Sequence, residues 1–233
     1  MNDYDRNYGN YGTQESAIAV TMNKVYSWMT LALVATALTA MYVAQSETVL
    51  GVIFGNQAMP WILMLAEVGI VIYLSARINR ISYATALTLF GVYSILNGVV
   101  LSVILLIYEL TTIYMAFFAT AGTFAAMSII GYTTKKDLSG LGGILTMALI
   151  GLIIASLVNL FFHNSALDSI ITYVGVFIFV GLTAYDTQKI KQMLAYSNGV
   201  DQRKIGLLGA LSLYLDFINL FLYILRLLSS RKD

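Results

Sequence analysis

Three carboxylates stand in stretches too apolar to hold them without a reason: Glu67, Asp186 and Asp216. Arg77 and Arg226 close two of those stretches. Asp216 is the most demanding. It sits near the middle of IGLLGALSLYLDFINLFLYILRLL, residues 205–228, a segment long enough to cross a bilayer. A carboxylate at that depth costs roughly 2.5–3.5 kcal/mol on insertion scales. The first residue that could offset the cost is Asp186, in GLTAYDTQKIK at the end of the preceding segment. On a helix, Asp216 shares a face with Asn219, Tyr223 and, more loosely, Arg226. Two chemistries fit it: a structural acid hydrogen-bonded to another helix, or a proton- or cation-binding group on a pathway. Intramembrane carboxylates are functional by default.

Asp186 has its own alternatives. Lys189 follows one turn later, so an interfacial salt bridge worth little is one reading. Contact with Asp216 is the other. It requires the helix that carries Asp186 to run further than its apolar span, 169–185, suggests. Two carboxylates in contact titrate as a pair, which makes a pH sensor without histidine. Glu67 and Arg226 are placed to pair across the outer half of a bundle, and Glu67 reads as an interhelical partner rather than a ligand. Arg77 either latches an ionised Asp186 at the inner surface or snorkels to the interface. His163, the only histidine, stands in FFHNSALD with no role expected. SGLGG at 139–143 lacks the Lys-Ser/Thr of a phosphate loop.

These groups must be positioned by membrane helices. The 233 residues are 59% apolar and 11% charged, against about 25% charged in soluble domains. The uncharged runs give seven segments: 25–45, a second opening at Pro60 and ending at Arg77, 81–108, 111–134, 141–162, 169–185 and 205–228. The fold expected is an all-α membrane protein of seven transmembrane helices. Residues 1–23 are polar and lack the basic start of a signal peptide. They are expected to form a disordered cytoplasmic tail, leaving 24–230 as one transmembrane domain. A net charge of +1 suggests no nucleic-acid partner, and the absence of cysteine removes thiolate metal sites and cysteine nucleophiles.

Charge sets the orientation. With the N-terminus inside, ten of the 13 basic residues fall on the inner side, and the loops after segments one, three and five hold none. The last segment breaks the pattern, since Arg226, Arg231 and Lys232 then end outside. A re-entrant hairpin would bring them back. However, 205–228 has no proline or late glycine to turn it, so a continuous spanning helix is expected.

GLTAYDTQKIK (181–191) and ALSLYLDFINLFLYILRLL (210–228) resemble the two C-terminal signatures of the Bax inhibitor-1 family, the transmembrane Bax inhibitor motif proteins. KKDLSG and the AEVG of segment two fit the same pattern, and the resemblance covers about residues 20–230. It implies a seven-helix fold with helix seven central and ringed by the other six. It also implies a pH-sensitive calcium leak. The aspartates of the two signatures would form a di-aspartyl pH sensor, here Asp186 and Asp216, with transient calcium contacts. An arginine latch at the end of helix two falls on Arg77 or is shared with Arg80. Glu67 and Arg226 match family positions of their type and would form a supporting ion pair.

The function expected is therefore a protonation-gated calcium leak in an inner membrane. Its partners are the lipid bilayer, calcium ions and protons; calcium is cargo, no cofactor is required, and the chain acts as a monomer. A regulatory protein bound to a membrane protease or channel is one alternative, and a proton-coupled cation exchanger is another. No enzyme is expected. An intramembrane aspartyl protease would need GxGD where this chain has LYLD. It would also need a proline-rich C-terminal segment, and Pro60 is the sole proline.

Overall fold

The computed structural model describes residues 3–197 and 201–229, with side chains from Ser16 onward. The described residues are helical throughout, in eight helices: α1 (Asp3–Gln45), α2 (Glu47–Phe54), α3 (Met59–Arg77), α4 (Tyr83–Ile107), α5 (Leu110–Thr133), α6 (Ser139–Phe162), α7 (Ser165–Ala195) and α8 (Gln202–Ser229). All but α2 are long and apolar enough to cross a membrane, and the span in α1 begins at Ser16. The disordered state expected for residues 1–23 falls largely outside the described side chains. Within that stretch, Ile18 and Met22 are buried on α1. Arg231 and Lys232 lie outside the described residues.

The chain forms two compact units. The first comprises Met1–Ile107 with Ile190–Leu211, the second Tyr108–Lys189 with Ser212–Asp233. In the first unit α1 packs on α4. The Thr36 hydroxyl donates to the Ser94 carbonyl at 2.9 Å, and a Cβ on Gly98 would strike the Thr36 backbone. Small residues let helix backbones approach in this way where lipid removes the hydrophobic drive to associate. In the second unit α5, α6 and α7 close in the same manner. Gly131 of α5 lies against the backbone of Ala184, and Gly142 of α6 against the ring of Tyr185. Phe217 of α8 meets Phe117 and Phe124 of α5 edge-on, at 5.9 and 5.5 Å between ring centres.

Burial is graded by helix. In the most apolar 18-residue window, 61% of α8 is buried against 6% of α3 and of α6. α3 and α6 turn apolar faces outward, as lipid-facing helices do. α8 is the most enclosed and runs without a break through Asp216, so the re-entrant hairpin does not form.

Three boundaries differ from the sequence reading. The stretch after segment one, read as a loop, holds the short helix α2, whose Val49 N–H donates to Ser46 Oγ in the manner of an N-cap. α7 begins at Ser165 rather than 169, which takes Asp168 into its first turn. It also continues ten residues past 185, so Lys189 and Lys191 lie on a helix and not in a long polar connection. Thr183, Thr187, Ile190 and Leu194 are all buried, so the three-to-four-residue stripe persists after mean hydropathy has fallen.

The close approach at Gly131 gives a direct test. An alanine Cβ there would land on the Ala184 main chain, which has no rotamer to yield. Gly131→Ala is expected to destabilise the fold by about 1–3 kcal/mol. This would be read as a fall in thermal midpoint of the purified protein.

Candidate functional site: a buried pair of aspartates

α7 and α8 run antiparallel in steady register within the second unit. A Cβ on Gly175 would strike the ring of Tyr223, and Phe179 stacks on that ring at 5.8 Å. Eleven residues further along α7 from Gly175, and eleven back along α8 from Tyr223, the Asp186 carboxyl comes within reach of the Ser212 hydroxyl. Asp216 stands one turn from Ser212 on the same face of α8, about 6 Å along the axis. Asp186 is close enough to act on Asp216 electrostatically. Asp186 therefore meets α8 beside Ser212 and approaches Asp216 along the helix axis. Contact depends on α7 running past its apolar span, and it does, with Asp186 nine residues before Ala195.

Asp216 is 5% exposed, and its Oδ2 has no protein hydrogen-bond partner. Two other buried oxygens of this unit share that condition, Thr187 Oγ1 on α7 and Ser128 Oγ on α5. An unpaired buried polar atom costs about 1–3 kcal/mol. Natural cores contain few of them, so each asks for an explanation. Three on three helices of one unit mark its interior as built for polar contact. Among the described residues no three of His, Cys, Asp and Glu gather as a metal-holding group.

Residues 19–233 match the family described as Inhibitor of apoptosis-promoting Bax1. The chain belongs to the Bax inhibitor-1 family. It is 49% identical over 214 residues to the inner membrane protein YbhL of Escherichia coli, covering 91% of this chain and 92% of that one. It is 44% identical over 214 residues to an uncharacterized protein of Rickettsia prowazekii, covering 91% and 90%. Family membership and seven membrane-length helices together make this a multi-pass membrane protein.

The other family positions fall as follows. Glu67 is half-buried on α3, where the Asn97 side chain of α4 hydrogen-bonds it and Tyr93 stands near. It therefore joins two helices of the first unit. Its Oε1 is buried without a hydrogen-bond partner. Arg226 lies at the end of α8 in the second unit, and its Nη1 is 3.5 Å from Asp168 Oδ1. Asp168 is the acid that sequence reasoning missed, because it was counted as loop. Placed in the first turn of α7, it comes level with the last turn of α8. Arg77 is the final residue of α3 and is exposed, and its carbonyl accepts the Arg80 N–H at 2.8 Å in the turn that follows. The two latch candidates thus share one helix end of the first unit.

A further residue emerges from the signature GLTAYDTQKIK. Gln188 is 6% exposed. Its Oε1 accepts the Leu138 N–H and its Nε2 donates to the Lys136 carbonyl, both at 2.8 Å. The KKDLSG loop is thereby fastened to α7 two residues beyond Asp186. Asp137 in that loop accepts the Ser139 N–H at 2.9 Å. Hydrogen bonds from the Ser139 side chain, then from its backbone, hold this carboxyl below the usual range. Asp201 ahead of α8 is likewise held low, chiefly by its hydrogen bond from Arg203. A carboxyl lowered by folding contributes stability above its ordinary range and loses it only as pH falls through the lowered value. Neither of these exposed acids can supply a response near neutral pH.

Proposed function

We propose that this protein is a calcium leak of an inner membrane, gated by protonation of Asp186 and Asp216, and not an enzyme. The observation that carries the reading is Asp216: a carboxyl 5% exposed, one oxygen unpartnered, beside a second carboxyl on the adjoining helix. When the two share a proton, a hydrogen bond draws α7 and α8 together and the path is closed. When both ionise, repulsion loosens the contact. The exposed oxygens then attract a divalent cation, which takes hard oxygen ligands. Two carboxylates with no third acidic or imidazole ligand among the described residues suit a passing ion rather than a resident one. Calcium is substrate here and no cofactor takes part. A single chain suffices.

Calcium flux into proteoliposomes of the pure protein is expected to rise with pH, as the pair ionises. Absence of flux at every pH would exclude the leak and favour a regulatory partner-binding role. Flux against a calcium gradient would make the protein an exchanger.

Orientation is tested separately. The natural chain has no cysteine, so single reporters are clean. In intact cells, a membrane-impermeant maleimide is expected to label His163→Cys and to leave Lys135→Cys untouched. The reverse pattern would place the N-terminus outside.

A further inference from the structure

A cavity of about 630 Å3 opens at the end of α6 remote from the KKDLSG loop, where α6, α7 and the last turns of α8 come together in the second unit. The α6–α7 turn that borders it is His163 and Asn164 alone, and both of its N–H groups are engaged. His163 takes the left-handed conformation, φ 48°, and its N–H donates to the Asn159 carbonyl at 2.8 Å. The Asn164 N–H donates to Asn159 Oδ1 at 2.9 Å, and the Leu167 N–H to Asn164 Oδ1 at 3.0 Å. Since both side-chain oxygens accept from the backbone, both carboxamides offer NH2 groups as donors.

Arg226 lines the same cavity, and a guanidinium is the side chain best suited to a phosphate. Asp168 lines it too, 3.5 Å from Arg226, the two side chains being 49% and 45% exposed. A bare anion would be repelled by that carboxylate. An anion carrying its own ammonium a few bonds away would not. Beside the cavity Phe161 and Phe162, at the end of the membrane-length helix α6, are 80% and 76% exposed, an apolar face that acyl chains would cover.

We propose that this cavity binds the headgroup of a zwitterionic phospholipid. The phosphate lies against Arg226 and the amides of Asn159 and Asn164, and the ammonium against Asp168. Both charges of the cavity are then matched at once, which neither an anionic lipid nor a simple cation achieves. The site is independent of the aspartate pair.

Native mass spectrometry of the full-length protein with phosphatidylethanolamine or phosphatidylglycerol of matched chains tests it. The zwitterionic lipid should be retained about ten-fold over the anionic one, the discrimination one charge-assisted hydrogen bond supplies. Asp168→Asn should bring the two lipids level. Asn164→Asp keeps an equally good helix cap while exchanging an amide donor for a carboxylate. It should lose retention of both lipids without lowering the thermal midpoint. Free phosphoethanolamine should raise that midpoint less than the lipid does. Equal retention of the two lipids by the unaltered protein would overturn the proposal. So would undiminished retention in Asn164→Asp, or phosphoethanolamine as effective as lipid.

Discussion

Asp216→Asn is expected to flatten the pH profile of calcium flux in proteoliposomes, leaving a flux that no longer rises with pH. Asparagine keeps the shape of the side chain and one acceptor oxygen, so packing in a position 5% exposed is preserved. What it removes is the charge change. Two carboxylates one helical turn, about 6 Å, apart repel by about 3 kcal/mol at an effective dielectric near 20. Moving a two-state equilibrium from 1:99 to 99:1 takes about 5.5 kcal/mol. Repulsion of that size is enough to turn a mostly closed population into a substantially open one, and among the described residues no other pair of acids is so placed. Asp186→Asn should flatten the profile equally. The double substitution should add little, since either single change already abolishes the pair. The chain's one histidine is the obvious rival, so the response should persist in His163→Gln. A profile that survives Asp216→Asn unchanged would remove the di-aspartyl gate.

The aspartate pair was legible because a carboxylate inside an uncharged run of membrane length has few explanations. The path of α7 was not. Polar residues after Tyr185 lowered mean hydropathy, and the segment was closed there. The stripe of Thr187, Ile190 and Leu194, all buried, carried the helix on. The doubt about whether Asp186 could reach Asp216 came from that false boundary. The start of α7 is obscured for the mirror reason: the charge on Asp168 reads as loop. The geometry gives Asp168 to Arg226 and Asn97 to Glu67. Residue type predicted that each buried charge needs a partner, but choosing among partners needed helix ends known to within a turn. Gln188 left no trace at all. A neutral amide in a polar run carries no signal until the loop it holds is seen.

Gln188→Leu is expected to destabilise the protein by about 2–5 kcal/mol, because it strips two backbone groups of their partners at once. The Leu138 N–H and the Lys136 carbonyl lie in the short connection between α5 and α6 and spend their hydrogen bonds on this one side chain. Each orphaned group costs about 1–3 kcal/mol when the space beside it is apolar, and leucine fills that space with methyl groups. Gln188→Glu separates the two bonds. Its carboxylate still accepts the Leu138 N–H but cannot donate to the Lys136 carbonyl, so at neutral pH one bond is lost and a repulsion gained. The consequence for gating follows from position. Two residues apart on a helix, Asp186 and Gln188 point to nearly opposite sides of α7. Ser212 of α8 holds one side and the KKDLSG loop holds the other. A helix released from the loop is freer to leave α8, so Gln188→Leu should raise calcium flux at low pH, where the unaltered protein is closed. Thermal unfolding in detergent and flux at about pH 6 are the two readouts. An unchanged midpoint would mean that the loop has other support. A lowered midpoint with tight closure would show that the clamp stabilises the fold without restraining the helix that carries Asp186.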